Sequence, residues 1–274
     1  VSVTMDQKSI VVDASVRALS GRLLGVLGPS GAGKTTLLLA LSGLTPHHPH
    51  KQLVGVQSGN VPEPSRVAHL SQSESFFGML TVRETLALAA ALQPEASGTS
   101  GNERVDNLLQ TLGLTAVANT RVGDATHRGI SGGEKRRLAV GCELLGDPAL
   151  LIADEPTTGL DSHQAERVVR LVRHTAASLN IPAVATLHQP RSSIWSRLDD
   201  VLVLAPRGRV IYHGPRSEAM SYFARLGYPC PRHTNPAEHI IDLVSTDFDS
   251  VAAAAADGER IERLAEAWAR HHAR

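Results

Sequence analysis

A glycine-rich loop between a short apolar strand and a helix constrains the fold of this chain more than any other feature. The run Arg22 to Leu27 predicts a strand, and Lys34 to Ser42 predicts a helix that ends at Gly43. The loop between them matches the pattern G-x-x-x-x-G-K-[ST]. Its residues are Gly28, Pro29, Ser30, Gly31, Ala32, Gly33, Lys34 and Thr35, followed by Thr36. Backbone N–H groups and a helix N-terminus bind phosphate in this context, so the sequence predicts a site for a nucleoside triphosphate.

The residue types in this loop indicate which part of the nucleotide each one binds. Because glycine has no side chain, the backbone N–H groups of Ser30 to Gly33 can approach the β-phosphate. Lys34 supplies a positive charge to the β- and γ-phosphates, and the hydroxyl of Thr35 can bind Mg²⁺.

A second motif supplies two carboxylates. The continuous apolar run Ala149 to Ala153 predicts a strand that is buried on both faces of a parallel sheet. Asp154 follows this strand and would place a carboxylate near the Mg²⁺ of the phosphate loop. Glu155 is the predicted general base, because it could accept a hydrogen bond from a water aimed at the γ-phosphorus. Such a pair alone often only caps a helix, but beside the phosphate loop it indicates hydrolysis.

A third motif, Ser131-Gly132-Gly133-Glu134, precedes a helix predicted over about 132–145. The local interpretation is a capping box, with Ser131 as N-cap and Glu134 three residues later. A capping box requires no glycines, so Gly132 and Gly133 also allow an anion site at this helix N-terminus. The sequence does not give the distance from this helix to the phosphate loop, and both interpretations stay open at this point.

Patterning and composition bound the fold class and the partners. Strands that alternate with helices predict an α/β fold with a mostly parallel sheet, and residues 1–21 predict an antiparallel hairpin.

Lys and Arg together number 27, as do Asp and Glu, so the chain lacks the basic excess that nucleic-acid binding needs. Cys142 and Cys230 have no metal-ligand spacing, which favours reduced thiols. The longest apolar runs fall far short of the about 20 residues that cross a bilayer, so we expect a soluble chain. Its start at Val1 rather than Met suggests a piece of a longer protein.

The ordered set of motifs resembles the nucleotide-binding domain of ABC ATPases. The matching segments are Gly28–Thr36, Gln72, Ile130–Glu134, Leu150–Glu155, Gly159–Asp161 and His188. Further segments resemble the G subfamily, which are half-size transporters with the ATPase domain before the membrane domain. These are Leu80–Leu86, Gly132–Leu138, Leu187–Pro190, Tyr222–Pro231 and Asn235–Glu238.

The resemblance implies an α/β P-loop NTPase with a RecA-like core, an N-terminal antiparallel β region and an ABC-type helical subdomain. It implies one domain over residues 1–274, with the ATP-binding core in 1–72 and 146–257. The helical subdomain would occupy about 73–145, and a C-terminal linker helix would occupy about 258–274.

The resemblance also implies a head-to-tail dimer, of identical or different subunits, around two molecules of ATP with Mg²⁺. Each nucleotide would contact the phosphate loop of one subunit and Ser131, Gly132 and Gly133 of the other, with Asp161 crossing the interface. The catalytic residues would be Glu155, His188, Gln72 and Lys34, and the metal ligands would be Thr35, Gln72 and Asp154. Local alternatives remain for three of these, namely a surface amide for Gln72, an N-cap for Asp161 and a strand-end histidine for His188.

The remaining partner implied by the resemblance is a transmembrane domain, C-terminal in the longer chain, which would place this domain at the cytoplasmic face of a membrane. Arg83 and Glu84 would lie near the coupling surface or, as the local alternative, form the solvated start of a helix. The substrate would be a lipid, sterol or xenobiotic. One departure concerns the base. Phe76 is the first aromatic residue, so nothing in residues 1–27 can stack on adenine as in many ABC domains, and Val1, Val16 or another aliphatic residue would pack there.

Two other functions fit the sequence less well. A soluble ABC ATPase acting on nucleic acid or the ribosome would need a basic surface, a coiled-coil insertion or tandem ATPase units. A catalytically inactive interaction module conflicts with the complete set of ATP-site residues.

Overall fold

The computed structural model describes residues 2–5, 8–12, 14–43, 51–54, 62–71, 75–93, 101–124, 126–246 and 250–272. The strands within these ranges are β1 Ser2–Met5, β2 Lys8–Val11, β3 Leu23–Leu27, β4 Lys51–Val54, β5 Val67–Leu70, β6 Leu150–Ala153, β7 Ala183–Thr186, β8 Asp200–Ala205 and β9 Arg209–Pro215. The helices are α1 Lys34–Ser42, α2 Val82–Ala91, α3 Gly101–Thr111, α4 Gly132–Leu144, α5 Ser162–Leu179, α6 Ser192–Trp195, α7 Arg216–Arg225, α8 Pro236–Val244 and α9 Val251–His272.

The larger sheet has six strands in the order β5-β6-β7-β3-β8-β9. All neighbours are parallel except β8 and β9, which form an antiparallel hairpin at one edge. Strands β3, β6 and β7 are buried along their whole length, as expected for strands covered by helices on both faces. The predicted α/β fold with a mostly parallel sheet is confirmed.

A smaller antiparallel sheet of order β2-β1-β4 lies beside it. Strands β1 and β2 form the hairpin predicted from residues 1–21. Strand β4 was not among the predicted strands, because its pairing with β1 joins segments about fifty residues apart and leaves no local signal.

Two apolar cores cover the two faces of the larger sheet, and β3 shows why. Its residues alternate, with Leu23 and Leu27 in one core and Leu24 and Val26 in the other. The first core holds residues of α2, α3, α4 and α5, whereas the second holds Leu37 of α1. Helix α1 therefore lies on the opposite face of the sheet from α4 and α5.

Helix α9 packs against the hairpin edge of the sheet. Tyr212 of β9 contacts Tyr222 of α7 and Trp268 of α9, with ring centroids 5.1 and 5.6 Å apart. An ion pair joins Arg209 to Glu262. The helix begins at Val251, seven residues before the predicted start of the C-terminal helix.

No helix in the described part of the chain combines the length and the apolar character needed to cross a membrane.

Candidate nucleotide site

The phosphate loop follows β3 and leads into α1, as the sequence predicts. Two of its glycines have no room for a side chain. A Cβ at Gly28 would lie 2.3 Å from the backbone oxygen of Leu204, and one at Gly33 would lie 2.9 Å from the backbone oxygen of Ile10. Gly33 also has φ of 93°, in the left-handed region that favours glycine. The strands on either side therefore fix the path of the loop.

Lys34 is held over this loop. Its side chain is 6% exposed, and its Nζ donates to the backbone oxygens of Gly28 at 2.9 Å and Pro29 at 3.0 Å. Burial lowers the pKa of Lys34, while the negative charges of Glu155 and Asp154 act in the opposite direction. Within the described part of the chain, no side chain caps the N-terminus of α1. The positive charge of Lys34 and the uncapped first N–H groups of α1 thus lie together at the phosphate loop, where both favour an anion.

Thr35 and Asp154 meet at the carboxyl ends of the strands. The Thr35 hydroxyl donates to Asp154 Oδ1 at 3.2 Å, although the two residues are 119 positions apart. A hydroxyl and a carboxylate are oxygen ligands of the kind that Mg²⁺ prefers. The pair therefore fits the predicted metal site.

Thr186, a residue outside every predicted motif, also holds Asp154. Its hydroxyl donates to Asp154 Oδ1 at 2.6 Å and accepts from the backbone N–H of Glu155 at 2.7 Å. The reason is the strand order, since β7 lies between β3 and β6. The last residue of β7 therefore sits between the phosphate loop and the carboxylates. The available signal was a threonine, fully buried here, in the otherwise apolar run Ala183 to Leu187.

Glu155 has an unusual backbone conformation that Thr186 supports. Its φ is 46°, a region that non-glycine residues adopt at a cost of about 1–3 kcal/mol, most often at functional sites. The side chain is half-buried, and Oε2 accepts from the Thr158 hydroxyl at 2.9 Å. Hydrogen bonds at both ends thus hold the residue predicted to be the general base.

Replacing Thr186 by valine is expected to lower ATP turnover about ten- to a hundredfold, because it removes one hydrogen bond to a carboxylate and one to Glu155. The Mg²⁺ concentration for half-maximal turnover should rise, and Thr186→Ser should restore both values. Thr175→Val, at a buried threonine of α5, is the matched control. Turnover as high in Thr186→Val as in that control would show that Thr186 does not support the site.

The Ser131 motif forms the predicted capping box at the start of α4. The Ser131 N–H donates to Glu134 Oε2 at 2.7 Å, and the Glu134 N–H donates to Ser131 Oγ at 3.3 Å. Ser131 and Gly132 are exposed, whereas Gly133 is buried. A Cβ at Gly133 would lie 2.3 Å from Gln164 Oε1, so this glycine has a packing reason besides any role in anion binding.

The structure does not bring every predicted site residue to the phosphate loop. Among the described residues, no hydrogen bond joins Ser131–Gly133 to that loop. Asp161 is the N-cap of α5 and accepts from the N–H groups of His163 and Gln164, as its local alternative predicts. His188 lies exposed just beyond β7. Gln72 lies outside the described residues.

A comparison with known protein families finds one family model that includes most of these site residues. A family model described as "ABC transporter" matches residues 11–158, which include the phosphate loop, the Ser131 motif and both carboxylates. The match covers more than half of the chain. The chain belongs to the ABC transporter family. A second model, described as "ABC-2 type transporter", matches residues 188–273, the part that contains α6 to α9.

Relatives of the G family resemble nearly the whole chain. ABC transporter G family member 7 of Arabidopsis thaliana is 42% identical over 94% of this chain. ATP-binding cassette sub-family G member 8 of Homo sapiens is 38% identical over 93% of it, and the broad substrate specificity transporter ABCG2 of Sus scrofa is 38% identical over 86%. The matches cover 36% to 38% of these three relatives, so this chain spans little more than a third of their length.

A solved structure supports the fold. The ADP conformation of MJ1267, an ATP-binding cassette of an ABC transporter, superimposes with a TM-score of 0.62. The match covers 80% of this chain and 94% of that one, at 18% sequence identity. It confirms the predicted cassette fold.

Proposed function

We propose that this chain binds ATP with Mg²⁺ and hydrolyses it to drive transport across a membrane. The observation that carries the proposal is the set of hydrogen bonds around Thr186. That hydroxyl joins Asp154 to the Glu155 backbone, while Thr35 donates to Asp154. One compact group thus offers two oxygen ligands for a cation and a carboxylate for a water, at the mouth of a phosphate loop.

The residues of the chain divide the work by their chemistry. Lys34 and the N–H groups of the loop stabilise negative charge on the phosphates. Thr35 and Asp154, with Gln72, would hold Mg²⁺, which neutralises charge on the β- and γ-phosphates when bound. Glu155 accepts the proton of the attacking water, and His188 contacts the γ-phosphate.

The proposed dimer explains why a second phosphate-binding helix lies in the same chain. Helix α4 and helix α1 lie on opposite faces of the sheet. Their N-termini are therefore poorly placed to bind the same phosphate group within one subunit. In a head-to-tail pair, the exposed Ser131 and Gly132, together with Gly133, would complete the site of the partner subunit. Asp161 would lie at the same interface.

An exposed apolar surface supports a membrane-domain partner. Phe77 and Leu92 are 73% and 77% exposed, and Met79 and Leu88 are also exposed nearby. Leu88 belongs to α2, Leu92 follows its end, and Phe77 and Met79 precede its start. A groove of about 320 Å³ beside α2 is lined by apolar and polar side chains, among them Phe76, Phe77, Leu88, Leu92 and, from α4, Glu143. Large exposed apolar patches mark interaction sites, and the G-family relatives named above are transporters.

This partner would hold the domain at the cytoplasmic face of a membrane. The division into a core of residues 1–72 and 146–257, a helical subdomain of about 73–145 and a linker helix is part of the same proposal. The helical subdomain would then present the exposed apolar surface of Phe77, Met79, Leu88 and Leu92 to the membrane domain.

Leu92→Glu tests the docking surface. In the full-length protein, it is expected to lower transport at least about tenfold, because docking would bury an unpaired carboxylate against apolar side chains. Leu179→Glu is the matched control, since Leu179 is an exposed leucine at the end of α5. Equal transport by the two variants would contradict docking at this surface.

The central proposal is tested with ATP itself. The purified chain should bind ATP and release phosphate in a Mg²⁺-dependent reaction. Absence of ATP binding at millimolar concentration would overturn the proposed function.

A further inference from the structure

A buried arginine lies behind the Ser131 motif. Arg137 of α4 is 4% exposed, and its Nη1 donates to the backbone oxygen of Gly133 at 3.3 Å and to Gln164 Oε1 at 3.1 Å. Its Nε has no partner among the described residues, and none of their carboxylates forms an ion pair with it. Burial lowers the pKa of Arg137 and the charge of Arg167 lowers it further, whereas the charge of Glu134 acts in the opposite direction. Neutral oxygens alone therefore receive its hydrogen bonds here.

Gln164 contacts two turns at once. Its backbone N–H donates to Asp161 Oδ1 at 2.9 Å in the first turn of α5. Its side-chain amide lies directly on the Cα of Gly133, where any Cβ would clash with Oε1. One residue thus joins the Asp161 turn to the Gly133 turn, 28 positions apart along the chain.

The energetics of this contact favour one arrangement of the two turns. A buried guanidinium that loses a hydrogen-bond acceptor is costly, because hydrogen bonds to charged groups contribute more than neutral ones. The same nitrogen of Arg137, Nη1, donates to the Gly133 carbonyl and to the Gln164 amide oxygen. Separation of the two turns would break the bond to Gln164, which is partly buried.

We propose that Gln164 and Arg137 are positioning residues that hold the Asp161 turn and the Ser131–Gly133 turn together, so that both contact the ATP of the partner subunit as one unit. The proposal rests on the head-to-tail dimer proposed above. It assigns a role to two side chains that, in the described part of the chain, form no hydrogen bond with the phosphate loop of their own subunit.

The first test measures dimer formation at increasing ATP concentration by sedimentation, in a Glu155→Gln background that prevents turnover. Gln164→Met removes the acceptor but keeps the size of the side chain, and it is expected to raise the ATP concentration for half-maximal dimer formation roughly tenfold. ATP binding to the monomer should not change, because the phosphate loop is intact. Gln164→Glu should restore dimer formation, since a carboxylate accepts from Arg137 and suits the first turn of a helix.

Gln110→Met is the matched control, because Gln110 is an exposed residue of α3. Unchanged dimer formation by Gln164→Met would overturn the proposal. Loss of ATP binding to the monomer would also overturn it, because the side chain would then act on its own phosphate loop.

A mixed dimer separates an effect on the partner from a general loss of structure. One subunit carries Gln164→Met and the other, tagged, carries Lys34→Ala, both in the Glu155→Gln background. The phosphate loop of the first and the Ser131–Gly133 turn of the second then form one intact site. We expect this dimer to retain ATP at the same half-saturating concentration as a reference dimer in which Gln164 is unaltered.

A mixed dimer that retains no ATP would show that Gln164 supports its own subunit, contrary to the proposal. Failure of the Glu155→Gln chain itself to dimerise with ATP would contradict the proposed dimer and remove the basis of this inference. Failure of that chain to bind ATP at all would contradict the proposed function instead. The three failures are therefore distinguishable.

Discussion

Replacing Glu155 by glutamine is expected to lower ATP turnover at least about a hundredfold while leaving ATP affinity unchanged, because general-base catalysis contributes on the order of 10²–10⁴-fold. Glutamine keeps the size of the side chain and can still accept from the Thr158 hydroxyl, so the site should keep its shape. It cannot take up the proton of the attacking water. Phosphate release and nucleotide binding, measured on the same preparation, separate the two effects.

Glu63→Gln is the matched control, because Glu63 is an exposed carboxylate outside the site. Its turnover should equal that of the unaltered chain. If Glu155→Gln also turned over ATP at the unaltered rate, Glu155 would not be the base.

The second large effect is expected from Lys34→Ala. It should weaken ATP binding about a hundredfold or more, because it removes a buried cation and its hydrogen bonds to the phosphates. The Tm of the variant provides a separate check of folding. Burial lowers the pKa of Lys34, which means that its charge is held at a cost to stability, so we expect little decrease in Tm.

Arg66→Ala controls for a general loss of positive charge, since Arg66 is exposed and lies outside the phosphate loop. Nucleotide affinity is measured by titration of both variants. An affinity of Lys34→Ala equal to that of Arg66→Ala would contradict the assignment of Lys34.

The sequence predicted the parts of the site that depend on neighbouring residues. The phosphate loop and the Ser131 capping box were predicted because glycine spacing, N-cap residues and apolar runs act locally. Thr186 could not be assigned in this way. Its contact with Asp154 depends on β7 lying between β3 and β6, and chain order does not determine strand order.

In the C-terminal part of the chain, the sequence patterns missed whole helices or placed their ends wrongly. Helices α7 and α8 were not predicted, although Asn235 and Pro236 form a good N-cap and first turn for α8. The start of α9 was placed too late because the run Ala252 to Ala256 has helix propensity but no apolar periodicity. The packing reason for Gly133 was also invisible, since Gln164 reaches it only through the fold.

The hydroxyl of Thr186 restricts which amino acids this position can accept. It has a single hydrogen, which points to Asp154, and a lone pair, which receives the N–H of Glu155. Valine offers neither group, and an amide places its donor and acceptor on separate atoms of a longer side chain. Serine and threonine combine both functions on one small oxygen. Only serine or threonine therefore satisfies both hydrogen bonds at this position next to the two carboxylates. Relatives that keep the ATP site should have one of these two residues here.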